Sequence, residues 1–131
     1  MRNVMVDSTV WIEFFRSRNA PLCDLVAGLL DEDRASASTV ILAEVLCGAR
    51  TQKEYGIILD TLQGVHLLED SRHVFLEAAE LGFRLRRKGQ TVPLADLLIA
   101  VQCARRDLGL LTLDGHFSLI ADAVPLRLER V

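Results

Sequence analysis

The sequence has few cysteines, few aromatic residues and no apolar run long enough to span a membrane. Its three cysteines, Cys23, Cys47 and Cys103, lie far apart, which predicts buried thiols in a reducing compartment and not a disulfide framework. Aromatic residues make up 5% of the chain, which argues against a platform that stacks several bases. A membrane-spanning helix needs about 20 apolar residues, and no stretch has that length. The sequence therefore predicts a cytoplasmic protein with no membrane segment.

The charge balance restricts the classes of partner. The 131 residues carry a formal net charge of −3, so the chain is not a generally basic nucleic-acid coat. A polyanion would have to be held by a local basic patch or through a bound metal. Half of the residues are hydrophobic, and the length corresponds to about one domain. Since no linker or internal repeat is evident, we expect residues 1–131 to form a single domain.

Short apolar strands alternate with longer helices along the chain. The predicted strands are Asn3–Val6, Arg34–Ala37, Val65–Leu68, Leu110–Leu113 and Pro125–Leu128. The predicted helices cover residues 10–15, 22–30, 40–49, 51–62, 71–88, 93–107 and 117–121, with Asp70 or Ser71 as the cap of the fifth. This alternation is typical of βαβ units around a parallel sheet. Right-handed crossovers then place helices on both faces of that sheet.

Four acidic residues lie inside or directly after apolar runs. They are Asp7 after Val4–Val6, Glu44 within Val40–Leu46, Asp96 within Leu94–Ile99 and Asp114 after Leu110–Leu113. An ionised carboxylate in an apolar setting is unfavourable unless a positive charge meets it. Ligands gather at the carboxyl ends of parallel strands, where the helix N-termini also lie, so all four acids can converge there. Hard oxygen ligands suit Mg²⁺ or Mn²⁺, and the pattern therefore predicts a metal-dependent enzyme.

Each acid also has a purely structural explanation. Asp7 and Asp114 can cap the helices that follow them, and Asp96 can be a first-turn acid favoured by the helix dipole. Glu44 can be a solvated residue, although it is the only charge between Val40 and Ala49. A shared cation explains all four acids at once, whereas the structural explanation needs a separate cause for each. Motifs for other chemistries, such as G-x-S-x-G or a P-loop, do not occur.

The same segments resemble the signature blocks of PIN domains, and their order and the chain length are similar to those of VapC-type toxins of bacterial and archaeal toxin–antitoxin pairs. The blocks are Val4–Thr9, the helix that carries Glu44, Pro93–Ala100 and Leu111–Phe117. The resemblance implies a three-layer α/β/α fold with a five-stranded parallel sheet and an endoribonuclease activity that depends on Mg²⁺ or Mn²⁺. By this resemblance the metal-binding acids are Asp7, Glu44, Asp96 and Asp114, and the residues that orient them through hydroxyl groups are Ser8 or Thr9 and Thr112.

One position departs from the family pattern. Many PIN domains carry another Asp two residues after the fourth acid, and this chain has His116 there. The departure leaves open how firmly a second metal is held. The structural alternative is a turn histidine beside Phe117.

The densest basic run predicts a contact with RNA phosphates, which would make binding depend on salt. It consists of Arg84, Arg86, Arg87 and Lys88. The alternative is the C-terminus of a helix, whose dipole these residues complement. A second pair, Arg105 and Arg106, is a weaker candidate.

A group of apolar residues near the N-terminus has two interpretations. The group consists of Trp11, Ile12, Phe14, Phe15 and Leu22. These residues either belong to the core or, as the resemblance implies, help to form a groove for the helix of a small antitoxin protein. The resemblance also implies a homodimer.

Three further functions compete with a toxin ribonuclease. A housekeeping PIN nuclease in RNA processing differs in gene neighbourhood, since a toxin has a small antitoxin gene beside it. A phosphoacceptor receiver domain needs paired acids after the first strand and a lysine near the end, whereas this chain has only Lys53 and Lys88. A catalytically inactive PIN scaffold is disfavoured by the presence of all four acids.

Overall fold

The computed structural model describes residues 2–129 and contains a five-stranded sheet in which all strands are parallel. The strands are β1 (Val4–Val6), β2 (Ala35–Ser38), β3 (His66–Leu68), β4 (Gly109–Leu111) and β5 (Arg127–Glu129). The helices are α1 (Ser8–Arg16), α2 (Ala20–Asp31), α3 (Thr39–Cys47), α4 (Gln52–Gln63), α5 (Arg72–Arg87), α6 (Leu94–Arg106) and α7 (His116–Ala121). The predicted α/β fold with a central five-stranded parallel sheet, flanked by helices, is confirmed.

The sheet order β3-β2-β1-β4-β5 places the first strand in the centre. The chain passes to β2 and β3 on one side of β1 and then to β4 and β5 on the other. The crevice between the carboxyl ends of β1 and β4 is therefore the point where the strand order reverses, at which open α/β sheets bind ligands. Val6 pairs with Leu111 there, so the residues that follow the two strands meet. Receiver-type sheets have the order 2-1-3-4-5, and this fold is not one of them.

The helix ends follow local signals in the sequence. The Ser38 and Ser71 side chains accept hydrogen bonds from backbone amides three residues later and so cap α3 and α5. Ser71, and not Asp70, is therefore the cap of α5. Gly89 follows that helix with a φ of 82°, as expected for the glycine after a helix C-terminus. Pro93 directly precedes α6 and is not in its first turn as predicted, although its carbonyl oxygen still accepts the first helical hydrogen bond.

The end of β4 differs from the predicted boundary because side chains replace the neighbouring strand as hydrogen-bond partners. The strand ends at Leu111 and not at Leu113. The Leu113 amide donates to Thr9 Oγ1 at 3.1 Å, and the Asp114 amide donates to Thr112 Oγ1 at 3.0 Å. The chain therefore turns away from the sheet and over the crevice. The other predicted boundaries agree with the structure to within two residues.

The apolar residues near the N-terminus belong mainly to the core. Trp11 and Leu22 are fully buried, and the Trp11 ring lies 5.9 Å from the Phe14 ring and 6.0 Å from the Phe15 ring. Ile12, Phe14 and Phe15 are partly buried against this core. Trp11 and Leu22 therefore belong to the core, and neither side chain is accessible to an incoming helix. A groove formed by Ile12, Phe14 and Phe15 stays a prediction.

The cysteines differ in their environment. Cys103 is buried and Cys23 is partly buried, but Cys47 is exposed, so the prediction of three buried thiols is wrong for Cys47. Burial raises the pKa of the Cys103 thiol to about 12, which keeps it protonated and unreactive. Within residues 2–129, no helix combines the length and the apolar character that a bilayer crossing requires.

Candidate active site

Asp7 follows β1 and lies under the loop that leaves β4. Its carboxylate is only 2% exposed, and its Oδ2 accepts hydrogen bonds from Thr9 Oγ1 at 2.8 Å and from Thr112 Oγ1 at 2.7 Å. Ser8 Oγ lies 3.4 Å from Oδ1. The residue occupies the N-cap position of α1, but its side chain makes no capping hydrogen bond. The capping explanation is therefore wrong for the Asp7 carboxylate, which is held in place by the hydroxyl groups of Thr9 and Thr112.

Glu44 projects from the second turn of α3 and remains accessible to solvent. Partial burial is the main cause that raises the pKa of this carboxyl group, and a hydrogen bond with the Ser8 side chain offsets part of the increase. The negative charges of Asp7, Asp96 and Asp114 raise the pKa of Glu44 further. Because the charges of three other carboxylates act on Glu44, its accessibility does not make it an isolated surface charge.

Asp96 lies in the first turn of α6 and is 9% exposed. Burial raises the pKa of its carboxyl group, and the charges of Asp114 and Asp7 raise it further. The His116 ring, which approaches the carboxylate, offsets part of this increase. The helix dipole alone would favour the ionised form at this position. Burial and like charge act in the opposite direction and raise the pKa of Asp96.

Asp114 is half-buried in the loop between β4 and α7. Its Oδ1 accepts a hydrogen bond of 2.8 Å from the backbone amide of His116, the first residue of α7. The carboxylate therefore stabilises the start of that helix, in agreement with the structural explanation, and it also faces Asp96. Ligand atoms of Asp96, Asp114 and His116 all lie within 4.8 Å of one another.

The four carboxylates have no lysine or arginine partner in the part of the chain that the structure describes. The ion pairs that arginine side chains form within residues 2–129 all involve other acids. His116 is the basic group that contacts the cluster, through Asp96 and Asp114. Carboxylates that repel one another and lack an internal lysine or arginine are stabilised by a cation from solution. Their oxygen atoms are the ligands that Mg²⁺ and Mn²⁺ prefer, so the residues present fit such an ion.

The basic run lies at the exposed end of α5 and does not contact the acids. Arg84 pairs with Glu80 at 3.8 Å, and the Arg87 guanidinium lies 5.5 Å from the centre of the Phe83 ring. Arg86 lines an open cavity of about 350 Å³ together with Leu94 and Leu97, which flank the Asp96 segment. The end of α5 is therefore next to the start of α6, on the side of the fold that carries the acids.

A polar network that was not predicted from the sequence joins the helices that carry two of the acids. Gln102 of α6 is 1% exposed, and its amide nitrogen donates to Asp70 Oδ1 at 3.1 Å and to the Glu69 carbonyl oxygen at 2.8 Å. The other oxygen of Asp70 accepts from Thr39 Oγ1, at the start of α3, at 3.0 Å. The sign of this network in the sequence is a single polar residue, Gln102, on the apolar face of α6. The network fixes the helix of Glu44 relative to the helix of Asp96.

The sequence and the fold are similar to those of known proteins. The PIN domain family model matches residues 4–123. Ribonuclease VapC11 of Mycobacterium tuberculosis is 29% identical over 122 residues, which cover 90% of this chain and 91% of that protein. The DNA-bound VapBC structure from Salmonella typhimurium has a TM-score of 0.80 at 19% identity and covers 99% of this chain and 98% of its own. VapBC2 from Rickettsia felis, bound to a promoter DNA fragment, has a TM-score of 0.78 at 21% identity and covers 98% of both chains. Since the family model spans all four acids and nearly the whole sequence, the chain belongs to the PIN domain family.

Proposed function

We propose that this protein is a VapC-type toxin, an endoribonuclease that hydrolyses RNA phosphodiesters and is inhibited by a small antitoxin protein. The observation that carries the proposal is the group formed by Asp96, Asp114 and His116, whose ligand atoms lie within 4.8 Å of one another, together with the buried Asp7 where the strand order reverses. The charges of Asp7, Asp96 and Asp114 also act on Glu44. Relatives named as ribonucleases, which are similar over nine-tenths of the chain, support RNA as the substrate. Structural neighbours named as VapBC complexes support an antitoxin as the partner.

In this proposal the metal ligands are Asp7, Glu44, Asp96 and Asp114. A divalent Mg²⁺ or Mn²⁺ ion would supply positive charge to the phosphodiester and activate water for its hydrolysis. The chain's contribution is to hold the four carboxylates at fixed positions before the ion arrives. The hydroxyl groups of Thr9 and Thr112 do this for Asp7, the Ser8 hydroxyl lies between Asp7 and Glu44, and the backbone amide of His116 holds Asp114.

The basic run is the proposed contact for the RNA backbone. Its members Arg84, Arg86, Arg87 and Lys88 are all exposed, and the cavity beside Arg86 leads towards the start of α6. Positive side chains at this position would hold phosphates on the side of the molecule where the acids lie. We further propose that the protein acts on RNA in the cytoplasm. We also propose that it forms a homodimer.

Replacement of single acids tests the catalytic part of the proposal. Asp7→Asn, Glu44→Gln, Asp96→Asn and Asp114→Asn should each lower RNA cleavage by on the order of 10²-fold or more, because each removes charge that stabilises the reacting phosphate. Asp60→Asn, which changes an exposed acid of α4, is the matched control. The assay is incubation of purified protein with total RNA in Mg²⁺, Mn²⁺ or EDTA, followed by sequencing of the cleaved ends. Full activity in EDTA, or in Asp96→Asn, would contradict the proposal.

Growth assays separate a toxin from a housekeeping nuclease. Expression of the wild-type chain should arrest growth, and co-expression of a small neighbouring gene should restore it. The Asp96→Asn chain should not arrest growth. If the wild-type protein cuts RNA in vitro but its expression never slows growth, the housekeeping function is the better description.

A further inference from the structure

His116 occupies an unusual place for a histidine, between two carboxylates of the acidic cluster. It is the first residue of α7, and its backbone amide is bound by Asp114 Oδ1 at 2.8 Å. This hydrogen bond fixes the start of the helix and directs the imidazole towards the start of α6. Its Nδ1 lies 3.2 Å from Asp114 Oδ1 and 3.4 Å from Asp96 Oδ2. About half of the side chain is exposed, so the ring is at the mouth of the site.

These distances fit neighbouring ligands of one metal ion. Charge-assisted N–H···O contacts are about 2.7–2.9 Å long. Two adjacent ligands of an octahedral ion, each about 2.1 Å from it, are roughly 3.0 Å apart. The contacts of His116 Nδ1 with Asp96 and Asp114 are longer than the first value and closer to the second. All three ligand atoms lie within 4.8 Å of one another, so the three residues form a group that could hold a metal ion.

The chemical nature of His116 Nδ1, the third of these ligand atoms, affects which metal ion the site prefers. Carboxylate oxygens bind Mg²⁺ and Mn²⁺ alike, but an imidazole nitrogen suits transition metals, and Mg²⁺ is bound mainly by oxygen. A neutral histidine offers Nδ1 to a metal while Nε2 keeps the proton. Building on the function proposed above, we propose that His116 is a nitrogen ligand of the catalytic ion and makes the site selective for Mn²⁺ over Mg²⁺.

Binding of the two ions to the full-length chain tests this role without any activity measurement. Calorimetric titration should show tighter binding of Mn²⁺ than of Mg²⁺ to the wild type. His116→Asp and His116→Ala should each reduce the ratio of the two affinities by about tenfold or more, a loss of the size that changes around a metal commonly cause. Nitrogen coupling in the pulsed EPR spectrum of the Mn²⁺ complex should be present in the wild type and absent from both variants. His73→Ala, which changes an exposed histidine of α5, should leave the ratio and the spectrum unchanged.

The alternative role of His116 is that of an internal cation, which neutralises the acids until a metal displaces it. In that case His116→Ala would raise the affinity for both ions equally, and the wild-type Mn²⁺ complex would show no nitrogen coupling. Either result would overturn the ligand role while leaving the metal-dependent function intact. If the wild type bound neither ion, both the ligand role and the proposed function would be refuted. The wild-type spectrum decides the question even if a variant fails to fold.

Discussion

Replacement of Thr112 by valine removes one hydroxyl group and retains the branched shape of the side chain. That hydroxyl donates to Asp7 Oδ2 at 2.7 Å and accepts from the Asp114 amide at 3.0 Å. One oxygen atom therefore links the acid that follows β1 with the acid that follows β4. Thr9 makes the corresponding link between Asp7 and the Leu113 amide, so the loop is held at two neighbouring points.

The expected loss of stability follows from these contacts. A hydrogen bond to a charged group contributes about 1.5–3 kcal/mol. Because Thr9 still donates to the same carboxylate oxygen in the variant, we expect the lower part of this range, about 1.5–2 kcal/mol. For a chain of 131 residues, an unfolding entropy of about 2.1 cal/mol/K per residue converts this loss into a decrease in Tm of roughly 5–7 °C. Mn²⁺ affinity should also fall by about tenfold, because two proposed ligands lose their common support.

Urea and thermal unfolding in EDTA, together with calorimetric titration of Mn²⁺, measure both effects. Thr112→Ser keeps the hydroxyl and should retain most of the stability and the metal affinity. Thr61→Val is the matched control, because that hydroxyl binds only the Ile57 carbonyl oxygen within α4. If Thr112→Val has the same melting temperature as the wild type and binds Mn²⁺ with the same affinity, the hydroxyl does not link the two acids and the reasoning is refuted.

Three further predictions concern charge. In EDTA the free energy of unfolding should fall as pH rises from about 4 towards the raised pKa values of Glu44 and Asp96. Within that pH window the folded chain retains protons that the unfolded chain releases, so a rise in pH favours the unfolded chain. Asp96→Asn should relieve part of the repulsion between the acids, so the variant should melt at a higher temperature than the wild type in EDTA. Its melting temperature should rise less than that of the wild type when Mn²⁺ is added. A lower melting temperature in EDTA and an equal increase with Mn²⁺ would identify Asp96 as a purely structural residue. Joint replacement of Arg86 and Arg87 by alanine should weaken RNA binding and reduce its salt slope by about one for each phosphate that the protein no longer neutralises. Arg72→Ala at the other end of α5 is the control, and an unchanged slope would leave only the helix-dipole role.

The parts of the fold that local signals encode could be predicted from the sequence. Apolar runs of strand length, serine caps and Gly89 identified the elements, and the rule for ligand sites in parallel sheets placed Asp7 and Asp114 together. The position of Asp96 in a first turn followed from Pro93. These features depend on spacing over a few residues, which one sequence contains in full.

The parts that depend on contacts between distant segments could not be predicted in the same way. Helical spacing identifies an apolar face but not what covers it, so Trp11 was compatible with both a groove and the core. The exposure of Cys47 depends in the same way on which face of α3 packs. The links from Gln102 and Thr39 to Asp70 join residues more than thirty positions apart, and no local pattern indicates them.

The bond between Thr112 and Asp7 joins residues 105 positions apart, and this separation has a consequence for synthesis on the ribosome. β1 is made first, yet its neighbour β4 and the loop that completes the acidic cluster emerge about a hundred residues later. Contacts between such distant segments must wait for the intervening chain and form late in folding. A growing chain that already carries Asp7, Glu44 and Asp96 therefore cannot assemble the cluster until Asp114 has left the exit tunnel. The ability to cut RNA, in the function proposed here, is withheld from every shorter nascent chain.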